Sequence, residues 1–204
     1  MKNFTNLICL IWATGIAFCA EKAKDAGELF VFVGEKITVE EIKAHPGSFD
    51  YVFQARYRVL QEHIGKLGAE TIEFVAYDHY GSPGFSKYQH VLLYVVKLDG
   101  KFYHEKYLFD PLYKTVEGLW AGPYSTQDFR HPSNLNTTVR PVKMKFVEDV
   151  SYSVEGMPDS EIQRYFPTPY YEVIQGRAVA RYGLFIEGLF QLQKDGVLKA
   201  RGRF

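Results

Sequence analysis

The sequence predicts an α+β protein made mainly of antiparallel β-strands, a β-barrel followed by a C-terminal β-hairpin and helix. Three observations carry this. From Tyr51, apolar residues recur at every second position (Tyr51, Phe53, Ala55, Tyr57, Val59), with Gln54, Arg56 and Arg58 between them. Asp99-Gly100 separates two long strand-like runs, KYQHVLLYVVKL and KFYHEKYLF. Near the end, Ile186, Leu189, Phe190 and Gln193 are spaced as on one face of a helix.

The first residues have a different character. Lys2 precedes an uncharged run from Leu7 to Ala20 (LICLIWATGIAFCA), after which charge returns abruptly with EKAKD. That is the plan of a secretory signal peptide. A run of 14 residues is shorter than the roughly 20 needed to cross a bilayer as a helix. Ala17-Phe18-Cys19 places small residues at the positions that signal peptidase reads better than Phe18-Cys19-Ala20 does, so residues 1–19 are expected to be removed. The competing reading keeps Cys19 as a lipidated first residue behind Ile16 and Ala17. A secreted or periplasmic location follows from the first reading and an outer-membrane lipoprotein from the second.

Cys9 and Cys19 are the two cysteines, and both lie in this leader. The exported chain, about 185 residues, can form no disulfide and must be held by its core. Fifteen tyrosines and sixteen phenylalanines, all but Phe4 and Phe18 beyond residue 19, suit that role. Without residues 1–19, 23 basic side chains face 24 acidic ones, interspersed along the chain. No basic face for nucleic acid is therefore expected, and no membrane contact unless Cys19 is lipidated.

Element by element, LFVFV (29–33) and Ile37-Thr38-Val39 read as a first strand or strand pair broken at Gly34. The second strand starts at Tyr51. After Gly65-Lys66-Leu67-Gly68, TIEFVAYDHY (71–80) reads as a third strand closed by the turn Gly81-Ser82-Pro83-Gly84. A two-residue turn at Asp99-Gly100 pairs Leu98 with Lys101, Val96 with Tyr103, Val95 with His104, Tyr94 with Glu105, Leu93 with Lys106, Leu92 with Tyr107, Val91 with Leu108 and His90 with Phe109. Both faces of that hairpin are apolar, so both need cover, and the C-terminal part is the candidate to supply it. Met157-Pro158-Asp159-Ser160 starts a short helix ending near Phe166-Pro167, and Tyr171 to Tyr182 forms a second hairpin around Gln175-Gly176. The expected organisation is a leader (1–19), a barrel domain (20–112), an irregular connector (113–150) and a C-terminal α+β segment packed on the barrel (151–204).

Little in the sequence carries a catalytic signature. Asp78, His79, His90 and His104 are the one histidine cluster to weigh as a metal site, but the hairpin register puts His90 and His104 on opposite faces. Gly81-Ser82-Pro83-Gly84 lacks the pattern of a nucleophile elbow. Glu40 and Glu41 are adjacent and point apart in a strand, and Asp78 with Glu73 is the other acid pair to consider. No glycine-rich phosphate loop is present and no cofactor is expected. Asn136-Thr137-Thr138 is a glycosylation triplet, expected to be unused. The suggestive group is aromatic and polar together: Tyr77, Asp78, His79, Tyr80, Phe85, Lys87 and Tyr88 bracket one turn and are the expected ligand-binding residues.

The segments Phe53 to Val59 (FQARYRV), Gly65 to Ile72, Gly81, Phe85 and Val91 to Tyr94 (VLLY) resemble the OB-type barrel of netrin-like and metalloproteinase-inhibitor-like secreted modules, across about residues 30–110. The resemblance implies an OB-like β-barrel. Those modules tie the barrel with disulfides, which the exported chain cannot form, so the resemblance carries no expectation of their inhibitory activity. The chain is also similar to uncharacterised secreted proteins of Gram-negative bacteria through GEKI (34–37), AYDHYG (76–81) and GVLKARG (196–202). The expected function is a non-enzymatic envelope module that binds a protein or small ligand. Two alternatives stand beside it: a hydrolase with a site near Asp78, His79 and His104, and a lipid-anchored structural or protective factor.

Overall fold

The computed structural model describes residues 27–43 and 47–204. Residues 1–19, the expected leader with Cys9 and Cys19, lie outside the described residues.

Five strands form a closed barrel: β1 (Glu28–Ile42), β2 (Tyr51–Ile64), β3 (Thr71–Asp78), β4 (His90–Leu98) and β5 (Lys101–Pro111), in the order β1-β2-β3-β5-β4 and back to β1. Among the described strands, only β3 and β5 run parallel. This is the order of an OB-fold barrel. The first segment is one strand of 15 residues rather than a pair, since Glu28 to Glu35 pair with β4 while Val31 to Ile42 pair with β2. Gly34 marks the bend. A Cβ there would press on Leu93, Tyr57 and Phe32 at 3.0–3.1 Å, so the missing side chain lets the strand turn against the interior.

Alternation decides which residues fill the barrel. Phe32, Phe53, Ala55, Tyr57, Phe74, Leu93 and Val95 face inward and are buried. Between β3 and β4 a single 3-10 turn, Gly84–Lys87, drives Phe85 into one end of this core. The other face of β1 and β4 is apolar as well. Val31, Val33, Leu92 and Tyr94 are fully buried there, beneath Leu184, Ile186, Leu189 and Leu192 from the C-terminal part.

The β4–β5 hairpin follows its expected register from Leu98–Lys101 to Val95–His104, with Asp99 (φ 48°) and Gly100 (φ 77°) forming the tight turn. Beyond that point it departs. Leu93 pairs with Phe109, Leu92 with Asp110 and Val91 with Pro111, so the pairings expected for Leu93, Leu92 and Val91 are replaced and those expected for Tyr94–Glu105 and His90–Phe109 are not formed. The cause is a bulge at residues 105–108, in which Tyr107 takes φ 65° and the strand bends outward before pairing resumes.

Residues 113–150 are less irregular than their sequence suggests. They hold β6 (Tyr113–Lys114), β7 (Trp120–Pro123), helix α1 (Thr126–Phe129) and β8 (Val142–Lys143). These strands pair with a later one, β12 (Tyr182–Phe185), in the order β6-β7-β12-β8. Strands of two to four residues are too short to show an alternating pattern. The rest comprises β9 (Ser151–Ser153), α2 (Asp159–Tyr165), the hairpin β10 (Tyr171–Ile174) and β11 (Arg177–Ala180), and α3 (Ile186–Gln193). Gln175 (φ 48°) and Gly176 (φ 72°) form the second tight turn. Tyr124, Phe146, Val150, Tyr171 and Ala178 make a separate core for this part.

Gly183 is where β12 meets β7 most closely. An added Cβ would overlap the carbonyl oxygen of Gly122 and press on Met144 Sδ at 2.8 Å. Gly183→Ala is expected to force the two strands apart and destabilise the fold by about 2 kcal/mol, read as a lower urea midpoint.

Candidate functional site

The residues expected to bind a ligand fall in three places. Tyr77, Asp78, His79 and Tyr80 end β3 at the barrel rim. Asp78 is buried and its Oδ1 accepts the amide of Tyr80 at 2.8 Å, which shapes the turn. His79 Nδ1 lies 3.2 Å from the carbonyl oxygen of Phe49 and 3.5 Å from Asp50 Oδ1. The other Asp50 oxygen accepts Lys106 Nζ at 2.7 Å, a hydrogen bond that raises the pKa of Lys106. Tyr80 is 88% exposed and leans on Tyr107, with ring centroids 6.2 Å apart.

Phe85 is not at that surface. It is 1% exposed inside the barrel, 4.5 Å from His104 and 5.8 Å from Phe74 by ring centroids, because an apolar ring at the tip of the 3-10 turn is the piece that closes this end of the core. Lys87 is exposed. Tyr88 turns away towards Phe109, 6.0 Å off.

The histidines separate in the same way. His104 lies within the barrel, its Nε2 3.0 Å from the carbonyl oxygen of Leu108, and burial pushes its pKa down to about 3, so the ring is neutral at ordinary pH. His90 is on the opposite face, 4.7 Å from Trp120. The structure therefore does not bring Asp78, His79 and His104 together. Asp78 and Glu73 diverge as well, since Glu73 points outward to Arg56 at 3.8 Å. Among the described residues no three His, Cys, Asp or Glu side chains could hold a metal ion.

A concave feature lies elsewhere, between the barrel and the C-terminal part, apart from a second hollow of about 720 Å³ around Lys143, Lys145, Glu172 and Arg181. The first is a cleft of about 930 Å³. The bulged end of β5 supplies one side with Tyr107, Phe109 and Asp110, joined by Tyr88. The opposite side is aromatic and interlocked. Tyr152 stacks on Phe166 at 5.3 Å, Phe166 meets Tyr171 edge-on at 5.1 Å, and the Tyr171 hydroxyl donates to the carbonyl oxygen of Tyr124. Tyr124 stacks in turn on Tyr170 at 3.8 Å, outside the cleft lining. Such mutual packing holds the rings in place before any ligand arrives.

A polar network forms the floor. Asp110 is 4% exposed, yet its partners are neutral: the Tyr94 hydroxyl donates to Oδ2 at 2.9 Å and Gln193 Nε2 donates to Oδ1 at 3.4 Å. Burial first, and the charge of Asp128 second, push the Asp110 pKa up to about 7. Asp128 sits at the start of α1, where its amide donates to Ser125 Oγ at 3.2 Å, and burial raises its pKa too. Tyr94, wholly buried, is held well above the ordinary tyrosine value by burial and by Asp110 beneath it. A carboxyl kept near neutrality in a cleft is the kind of group that binding and proton transfer use.

Of the expected residues, only Tyr88 reaches the cleft lining; Asp110, Tyr124, Asp128, Tyr152, Phe166 and Tyr171 were not singled out by the sequence. Two signals point to them in retrospect. Asp110 is the one acid in the run YLFDPL, and Ser125-Thr126-Gln127-Asp128 is a helix-capping pattern inside a stretch otherwise without order.

Barrel and cleft together define an OB-fold barrel with an α+β cover and an aromatic cleft between them. The chain matches no protein-family model, no curated protein and no solved structure.

Proposed function

We propose that this protein is a binding module that takes a small ligand into the cleft between barrel and cover. One observation carries the reading: a cleft of about 930 Å³, within the range of small-molecule sites, combines prepacked aromatic walls with a few buried polar groups at its floor. The export reading of residues 1–19 supports a secreted or periplasmic place for this activity. The exposed rim of Tyr77, His79 and Tyr80 meets the cleft at Tyr107, which suits a role at its entrance.

The test is a thermal-shift screen of cationic, anionic and uncharged compounds against the protein and Ser153→Trp, which places a large side chain at an exposed lining position. At a hundredfold excess over Kd, a true ligand raises Tm by roughly 5 °C, and Ser153→Trp removes most of that rise. No response in any class, or equal responses in the two proteins, would overturn the reading.

A further inference from the structure

We infer that the ligand of this cleft is an organic cation, a protonated or quaternary amine on an apolar body, whose charge is met by Asp110 and Asp128 and whose body packs among the tyrosines. The inference rests on the binding reading above and adds the chemical class.

The sign of the charges comes first. Among the described residues, the side chains lining the cleft include two carboxyls, Asp110 and Asp128, and no lysine, arginine or histidine. An anion entering would meet like charge and no compensating donor of positive charge. A neutral ligand would leave the acids as they are. A cation provides what the floor lacks, because buried carboxylates are ordinarily paired with positive charge and, among the described residues, Asp110 has only neutral donors.

The groups facing Asp110 leave room for such a partner. Tyr94 comes from β4, Gln193 from α3 and Asp128 from α1, with His131 beyond Asp128 as the nearest positive influence on that second acid. Oδ2 is well occupied by Tyr94, but the Gln193 bond to Oδ1 is long at 3.4 Å, and a carboxylate oxygen can accept a second donor. An ammonium N–H at Oδ1 would make a shorter, charge-assisted bond.

The walls select the rest of the ligand. Tyr88, Tyr107, Tyr124, Tyr152 and Tyr171 line the cleft, and aromatic rings attract cations through their negative faces while covering an apolar body. The same chemistry couples binding to a proton. With its pKa near 7 in the empty cleft, Asp110 is largely protonated below neutrality and must release that proton when a cation settles against it. Affinity therefore rises with pH across neutrality.

Three probes that share one aryl body separate the possibilities: 2-phenylethylammonium, 2-phenylethanol and phenylacetate, each titrated into the full chain by calorimetry. At pH 8 the ammonium is expected to bind at least about tenfold tighter than the alcohol, with phenylacetate weakest. Between pH 8 and pH 6 the ammonium should lose roughly tenfold in affinity while the alcohol is unchanged. Asp110→Asn, which keeps the shape of the side chain, should erase both the preference and its pH dependence; Asp128→Asn should weaken the preference and serves if the first variant fails to fold. Equal or better binding of the alcohol or phenylacetate, or a cation preference that survives in both variants, would overturn the inference. If either of those compounds binds and Ser153→Trp abolishes it, the cleft remains a binding site for another class of ligand. If nothing binds, both readings fall.

Discussion

Between about pH 4 and pH 7 the Asp110 carboxyl is expected to withdraw on the order of 4 kcal/mol of stability, a loss that Asp110→Asn removes and that the buried, neutral His104 opposes with the reverse sign, so the variant gains more stability than the wild type as pH rises. The sign follows from where the proton sits. Burial lifts Asp110 from the ordinary 3.8 to about 7, so over this interval the folded chain holds a proton that the unfolded chain has released. Its stabilisation is present in full below the unfolded value and is lost as pH rises through the folded one. Asp128, also raised by burial, contributes in the same direction. Urea midpoints at pH 5 and pH 8 for the two proteins measure the effect. A wild-type chain whose midpoint rises over this span to the same extent as the variant's would show that Asp110 is ionised at little expense in the folded state.

Phe85→Ala should be as damaging, at about 3–5 kcal/mol. The ring is the single side chain that the 3-10 turn inserts into the barrel, and it touches Tyr57, Phe74, His104 and Phe109 at centroid separations of 4.5–6.3 Å. Truncation leaves a void bordered by His104, whose protonation becomes less costly once water reaches it, and by the Tyr57 hydroxyl, a buried group without a hydrogen-bond partner among the described residues. Collapse is difficult because the barrel wall is closed by hydrogen bonds all round. Phe85→Leu, which restores much of the volume, should recover more than half of the loss in a denaturation experiment. A loss below about 1 kcal/mol for Phe85→Ala would mean that this end of the barrel rearranges to fill itself.

The barrel was legible because its strands are long and its interior is one-sided. Phe53, Ala55 and Tyr57 alternate with Gln54, Arg56 and Arg58, and that period has only one structural solution for a strand half in water. Asp99-Gly100 set the hairpin because two successive residues there must take positive φ, which those residue types accept. The break at Tyr107 was not legible for the converse reason. A tyrosine at φ 65° bears no mark of it in the sequence, and the conformation is imposed by surroundings brought from afar. Arg201, for example, donates to Glu105 at 2.7 Å and to the Lys106 carbonyl at 2.9 Å from 95 residues away.

The cleft was hidden by the same bulge. With uninterrupted pairing, His90 would have stood opposite Phe109. The slip instead sets Asp110 against Leu92 and turns it to the face that the cover occupies. Its opposite wall comes from strands of three or four residues and from rings whose spacing in the chain follows no period. Tyr77, His79 and Tyr80 stand out in the sequence because they are contiguous and lie beside an obvious turn.

β4 has no side that belongs to water. Its odd-numbered residues Val91, Leu93 and Val95 fill the barrel, while Leu92 and Tyr94 lie beneath α3 and β12, all at 0% exposure. The topological boundary near residue 112 is therefore not a line along which the protein can be divided. A barrel cut free there would present a greasy flank with a buried tyrosine hydroxyl and Asp110 laid bare, and the cover would lose the surface on which its helix rests. Barrel and cover are two shapes but one cooperative unit, and the cleft between them is a seam within that unit rather than a gap between parts that drift.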